Sequence, residues 1–282
     1  MPPLSPFRRP DTLARGGLRA LALLCLTLFG ACAAGPETRT SVLDGRKVEH
    51  IIAGRGTPPV VFENGLGGRL DLWAKVIAGI FAETTVFAYN RPGTGASTAV
   101  PGPRDGDRIV AELRRDLRDA GLRPPYVLVG HSLGGLYMQL YARRHPDEVA
   151  GLVLVDSTHP DQMSGPGARE NWPLWVDVVI GATTSKAARR ELDAIPATGA
   201  QVLALPPLRG KPVVVLSALE PMTATSALAQ DANRKRAAIA GLHPGARQVW
   251  VESGHVVPLE APQAVIDAIR AVLSKARQGA KR

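Results

Sequence analysis

Gly130-His131-Ser132-Leu133-Gly134, with Gly135 directly after it, sets the tightest limit on what this 282-residue chain can fold into. Upstream, Tyr126-Val127-Leu128-Val129 follows Pro124-Pro125 and reads as a short buried strand. Downstream, Leu136 to Arg144 reads as a helix, with Leu136, Met138, Leu140 and Tyr141 available for an apolar face. A strand, a sharp turn and a helix around G-x-S-x-G lift the serine onto an exposed bend. Small flanking residues permit backbone angles that a Cβ would obstruct. The start of the helix brings unpaired backbone N–H groups to the same spot, where an anion can be held. Ser132 is therefore the candidate nucleophile.

A serine hydroxyl is weakly nucleophilic at neutral pH and needs a base beside it. His131 is inside the turn, and its position beside Ser132 is expected to point it away. His50 is in an early strand, His145-Pro146 ends a helix and His243-Pro244 is in a turn. His255 ends Val251-Glu252-Ser253-Gly254-His255, a loop after the last strand, and is the candidate base. An acid should orient that imidazole and stabilise its protonated form. Asp156 closes the strand Leu152-Val153-Leu154-Val155 and is preferred. Glu220, in Ser217-Ala218-Leu219-Glu220-Pro221, is the alternative. Both give the chain order serine, acid, histidine. An oxyanion hole needs two backbone donors. Leu133 follows the nucleophile, and Leu66 is in the glycine-rich loop Glu63-Asn64-Gly65-Leu66-Gly67-Gly68.

From Arg46 onward, apolar runs alternate with helical patterns. Strands are expected at 48–53, 58–63, 86–90, 126–129, 151–156, 213–217 and 248–252. Helices are expected at 70–81, 107–120, 136–144, 226–240 and 262–276. This alternation predicts an α/β domain over 46–276, with a mostly parallel sheet covered on both faces. Chemistry in such sheets sits at the carboxyl ends of the strands. Between 157 and 210 no strong strand appears. That length is too great for a plain connection. Trp172, Trp175, Val176, Val179 and Ile180 recur with helical period. The segment is expected to be a helical cap over the site mouth.

Together these features resemble the α/β-hydrolase superfamily over about residues 46–276. Tyr89-Asn90-Arg91-Pro92-Gly93-Thr94-Gly95-Ala96-Ser97 looks like that superfamily's arginine-and-glycine loop. Two departures stand out. Asn64-Gly65 opens the oxyanion loop, where His-Gly is usual, and the position after the strand at Val213 holds Glu220 rather than aspartate. Some members carry the acid one strand earlier, which fits Asp156. The resemblance implies the α/β-hydrolase fold and a serine hydrolase, esterase- or lipase-like, acting on a small-molecule acyl substrate through an acyl-enzyme on Ser132. Acyl transfer by the same residues, or a non-catalytic envelope binding protein on this scaffold, are the alternatives. Dehalogenases and epoxide hydrolases of the superfamily use aspartate at the nucleophile position, so Ser132 argues against those activities. No cofactor or metal is expected.

The first residues read as a targeting segment. Arg8, Arg9, Arg15 and Arg19 precede an uncharged run from Ala20 to Gly35, short for a membrane span and suited to a signal peptide over 1–31. Leu28-Phe29-Gly30-Ala31-Cys32 resembles a bacterial lipoprotein signal, with Cys32 as the lipidated residue. Ordinary cleavage at Ala31-Cys32-Ala33 is the alternative. Export to the cell envelope, with membrane attachment through Cys32, is the expectation. Residues 32–45 read as a tether and 277–282 as a C-terminal tail. Cys25 and Cys32 are the chain's two cysteines, which excludes a disulfide framework or thiolate metal site in the domain. Net charge is +9, and loss of four arginines and one aspartate with residues 1–31 lowers it to about +6. The basic clusters, Arg234-Lys235-Arg236 among them, lie in segments that read as solvated helix faces. No basic run interleaves with aromatics, so nucleic acid is not an expected partner.

Overall fold

The computed structural model describes residues 36–173, 184–219 and 226–280. Eight strands among them form one sheet: β1 (Arg39–Leu43), β2 (Arg46–Ala53), β3 (Val60–Glu63), β4 (Val86–Tyr89), β5 (Tyr126–His131), β6 (Val149–Val155), β7 (Val213–Ala218) and β8 (Arg247–Val251). Their order is β1-β2-β4-β3-β5-β6-β7-β8. β2 runs antiparallel to both β1 and β4, and every other pair is parallel. Strands β3 to β7 are buried along their whole length, which is what near-continuous apolar runs require in a sheet covered on both faces.

Alternate residues of these strands feed two cores. Val61, Leu128, Leu152, Leu154, Val213 and Val215 face one side, where α2 (Gly106–Asp119) and α3 (Leu133–Arg144) lie. Val60, Phe62, Val127, Val129, Val153 and Val155 face the other, against α1 (Ala74–Ile80) and α7 (Pro262–Gly279). In α7 the buried positions Val265, Ile266, Ile269, Val272 and Leu273 form one stripe at helical spacing. Each such side chain contributes about 1.5–3 kcal/mol when fully buried. α7 comes close to β6 because Gly151 has no side chain. A Cβ there would stand 2.3 Å from Val272 Cγ1.

From β3 the chain goes to β4 on one side, then crosses back to β5 on the other. Reversal of this kind opens a crevice at the carboxyl ends of the flanking strands. Here those are β3 and β5, with Glu63 in register with Gly130. The glycine-rich loop after Glu63 and the serine turn therefore face each other across the crevice.

Several expectations are corrected. Residues 39–43, read as tether, form edge strand β1. Their polar sequence RTSVL buries only its last residue fully, so no apolar alternation announces the strand. Helix α3 starts at Leu133 rather than Leu136, because Gly134 and Gly135 are held by close approach despite poor helix propensity. In the expected cap, α4 (Lys186–Asp193) and α5 (Ile195–Leu203) are described, preceded by two short 3-10 turns. Trp172 packs on the α2/α3 core, whereas Trp175, Val176, Val179 and Ile180 lie outside the described residues. So do the signal segment, Cys32, Glu220 and the last two residues of the tail. No described helix is long and apolar enough to cross a membrane.

Replacing Gly151 with valine forces β6 and α7 apart. A loss of about 1–3 kcal/mol is expected, read as a lower urea midpoint.

Candidate active site

The strand-to-helix turn at Ser132 is sharp. Ser132 has φ 52° and ψ −123°, angles an L-residue adopts only under constraint. The conformation costs on the order of 1–3 kcal/mol and must be held by its surroundings. The Ser132 N–H donates to Val155 O at 3.1 Å, and Ser132 O accepts from Gly135 N at 2.9 Å and Thr158 N at 3.0 Å. Glycines on both sides are needed. A Cβ on Gly130 would lie 2.5 Å from Gly134 O, and one on Gly134 would lie 2.4 Å from Glu63 O.

The structure brings Ser132, His255 and Asp156 into one chain of hydrogen bonds. Ser132 Oγ is 3.0 Å from His255 Nε2, and His255 Nδ1 is 2.6 Å from Asp156 Oδ2. With Asp156 ionised, the proton shared with it sits on Nδ1, which leaves Nε2 as the acceptor for the serine hydroxyl. Asp156 follows β6 directly, with φ 40°, and its N–H donates to Leu216 O at 2.8 Å. Its other oxygen, Oδ1, accepts from Ala218 N at 3.1 Å and from Arg236 Nε at 2.8 Å. Burial raises the Asp156 carboxyl, but the bonds from His255, Arg236 and Ala218 outweigh it and hold the group below its usual range. Asp156 is thus in direct contact with His255, and Glu220 lies outside the described residues.

Arg236 was not expected here. It comes from α6 (Ala227–Ala238), in the cluster Arg234-Lys235-Arg236 read as a solvated face. Lys235 is likewise turned inward, onto Asp231 and the Ser164 carbonyl. An arginine whose partner is 80 residues away carries no local sign of that partner. Composition alone therefore misassigned it.

The His255 loop is pinned at its backbone. Gly254 N–H donates to Glu260 Oε2 at 2.6 Å. His131, expected to point away from the site, instead donates from Nε2 to the His255 carbonyl at 2.9 Å. The two imidazoles sit 4.8 Å apart. Burial, and then the nearby His255, lower the His131 pKa to about 4, so it is neutral at neutral pH. Adjacency to the serine says only that its ring turns away from Oγ, and tertiary structure reveals that it meets the His255 carbonyl.

Leu133 opens α3, and its N–H is among the four that lack a carbonyl partner within the helix. Across the crevice, an ideal Cβ on Gly65 would stand 3.1 Å from Ser132 Cβ, so the loop carrying Leu66 abuts the serine. Arg91, nearly fully buried, underlies this loop and donates to the carbonyls of Asn64 at 2.6 Å and Gly65 at 2.8 Å. Asn64 Nδ2 donates to Tyr89 O, while its Oδ1 accepts from Trp73 Nε1, both at 2.8 Å. Asn64 thus bridges Tyr89 and Trp73 through both ends of its side-chain amide.

Two clefts meet at Ser132. The larger, about 700 Å³, runs past the Gly65–Gly68 loop, Leu72, Val256 and Leu259. The smaller, about 320 Å³, is lined by Asp156, Ser157, Thr158, Gln162 and Arg236. Among the described residues no group of His, Cys, Asp and Glu side chains is arranged to hold a metal ion.

A family model described as alpha/beta hydrolase fold matches residues 58–230. Human (Lyso)-N-acylphosphatidylethanolamine lipase is 31% identical over 143 residues, 47% of this chain and 41% of that protein. The pimeloyl-[acyl-carrier protein] methyl ester esterase of Chromobacterium violaceum is 38% identical over 116 residues, 41% of each chain. The aligned stretches thus span about two-fifths of these curated relatives. Among solved structures, the enol-lactonase of Burkholderia xenovorans LB400 superposes with a TM-score of 0.63 at 20% identity, over 84% of this chain and 100% of that one.

His131 has a native pKa of about 4 against 6.5 for an unperturbed imidazole, so the unfolded chain binds a proton that the native state refuses. Its contribution to stability is full above pH 6.5 and is lost as pH falls toward 4. His131→Gln should flatten the fall in unfolding free energy over that window, measured by urea titration at stepped pH.

Proposed function

The chain belongs to the alpha/beta hydrolase family, and from that premise we propose that it is a serine hydrolase cleaving an ester or related acyl substrate through an acyl-enzyme on Ser132. The observation that carries this reading is the unbroken line Ser132 Oγ, His255 Nε2, His255 Nδ1, Asp156 Oδ2, with steps of 3.0 and 2.6 Å across its two hydrogen bonds.

In the first half-reaction His255 Nε2 takes the serine proton as Oγ attacks the acyl carbonyl. The negative charge that forms on the carbonyl oxygen is held by the N–H groups of Leu66 and Leu133. Asp156 stabilises the imidazolium and keeps its ring oriented. The imidazolium then gives its proton to the leaving oxygen, and the acyl group stays on Ser132. In the second half-reaction water takes the place of the alcohol. His255 removes a proton from it as its oxygen attacks the acyl carbon, then returns that proton to Ser132 Oγ as the acyl–Oγ bond breaks and the carboxylic acid leaves.

Half of the His255 side chain is exposed to solvent. Water therefore has access to the base that would activate it in the second half-reaction. The names of the two curated relatives, a lipase and a methyl ester esterase, are in keeping with an acyl ester as substrate. The larger cleft, with Leu66, Leu72, Val256 and Leu259 along it, suits the apolar portion of such a molecule.

A fluorophosphonate probe should label Ser132 in the wild type and leave Ser132→Ala unlabelled. On p-nitrophenyl esters, Asp156→Asn should lower kcat by about 10⁴-fold, because the tautomer that receives the serine proton is lost. Full activity in Asp156→Asn would return the acid's role to Glu220.

The reading extends to location. Residues 1–31 carry the charge and apolar pattern of an export signal, and Cys32 at the end of that run is the acyl acceptor that anchors the hydrolase to a membrane. Cys32→Ser should move the protein from the membrane pellet to the soluble fraction and remove the acyl mass from its N-terminal peptide. Wild-type protein found wholly soluble and without acyl mass would refute the anchor.

A further inference from the structure

Arg91 offers five N–H donors, and the structure gives each an acceptor. Nε meets Glu191 Oε1 at 3.0 Å, and Nη2 meets Glu191 Oε2 at 2.7 Å. Nη1 meets Glu63 Oε1 at 2.7 Å and Asn64 O at 2.6 Å, and Nη2 also meets Gly65 O at 2.8 Å. The guanidinium carbon is 5.3 Å from the centroid of the Tyr137 ring. Every edge of this planar group is occupied, so its orientation is over-determined.

One of those acceptors has a particular meaning. Gly65 O and Leu66 N belong to the same peptide unit. That unit is planar and trans, so its C=O and N–H point in opposite directions. Whatever fixes the Gly65 carbonyl also aims the Leu66 N–H. Arg91 Nη2 approaches that carbonyl at 2.8 Å. The remaining bond to it, from Gly68 N at 3.2 Å, is local to the loop and longer.

We infer that Arg91 is a positioning residue that aims the Leu66 N–H at the oxyanion, and that Glu191 on α4 sets Arg91 for this task. The inference rests on the reading of Leu66 as an oxyanion donor in a serine hydrolase. Glu191 reaches Arg91 from outside the sheet, 100 residues along the chain, and clasps it through two parallel bonds. α4 also lies beside the same loops. Ideal Cβ atoms on Gly93 and Gly67 would stand 2.7 Å from the Cβ of Ala187 and 3.8 Å from that of Ala188. The cap helix and the oxyanion loop are thus joined through one guanidinium. The direction of a backbone donor is set by a carboxylate that never touches the loop.

The test uses full-length protein with p-nitrophenyl butyrate as substrate and phenylboronic acid as a mimic of the tetrahedral species. Arg91→Lys keeps the charge but replaces the planar fork with a tetrahedral ammonium. Glu191→Gln keeps the shape but turns one acceptor into a donor facing Arg91. It also leaves both loop carbonyls and Glu63 untouched, so it serves as the test if Arg91→Lys fails to fold. Active sites are titrated from the p-nitrophenol burst, which separates misfolded molecules from misaimed ones.

For both variants kcat per titrated site should fall by about 10-fold or more, since removing one such donor outright costs about 10²–10³. KM should stay within about 2-fold, and phenylboronic acid should bind more weakly by a factor that tracks the loss in kcat. Unchanged kcat per titrated site in a folded variant, or a loss confined to KM, would overturn the inference while leaving the hydrolase reading intact. A wild-type protein that neither turns over acyl esters nor takes a fluorophosphonate on Ser132 would remove that reading itself, and this inference with it.

Discussion

A serine held at φ 52° between β5 and α3 governs the rest of the site. The turn is unfavourable on its own, and three neighbouring segments hold it. Val155 O receives the Ser132 N–H, Gly134 packs against the backbone of Glu63, and Thr158 N–H reaches the Ser132 carbonyl. Those contacts come from β6, the end of β3 and the loop after β6. They are the segments that carry Asp156 and lead into Leu66. The backbone strain at Ser132 and the assembly of its partners are therefore one constraint. The parallel sheet supplies it by ending β3, β5 and β6 at the same edge.

Four polar side chains at that edge, Glu63, Asn64, Tyr89 and Arg91, are buried and hydrogen-bonded in one connected set. Asn64 links Trp73 and Tyr89, Glu63 links Tyr89 and Arg91, and Arg91 links two loop carbonyls and Glu191. Burial raises the Glu63 carboxyl, and Arg91 opposes that rise. Removing one member would leave a buried charge or dipole without a partner, which costs more than the bond itself is worth. The network therefore has little freedom to settle into a second arrangement. Rigidity of this kind suits a site whose donors must point at an atom that exists only during the reaction.

Much of this was legible from local pattern. Apolar runs of four to seven residues reported β3 to β7, and the glycines around Ser132 reported the turn, because both signals are contained within a few positions. His255 was legible from its place after the final strand. What could not be read depended on distance in space alone. Asp156 and Glu220 both follow strands, and only the described geometry brings Asp156 to 2.6 Å from His255. Arg236 meets Asp156 across 80 residues, and Arg91 meets Glu191 across 100. A lone arginine looks the same whether it faces water or a carboxylate. β1 is hard to read from sequence for the opposite reason. An edge strand buries so little that its sequence need not alternate.

That strand also bears on geometry outside the domain. With β1 starting at Arg39, only six residues, 33–38, lie between Cys32 and the first residue clamped in the sheet, a path of seven Cα steps. A fully extended chain advances at most about 3.3–3.6 Å per residue, so this leash reaches no further than about 25 Å. If Cys32 is lipidated as proposed, β1 begins no more than that length of chain from the bilayer. The enzyme would graze a surface rather than roam the space above it. Amphiphiles partitioned into that bilayer would be met at a far higher local concentration than the same molecules in bulk water.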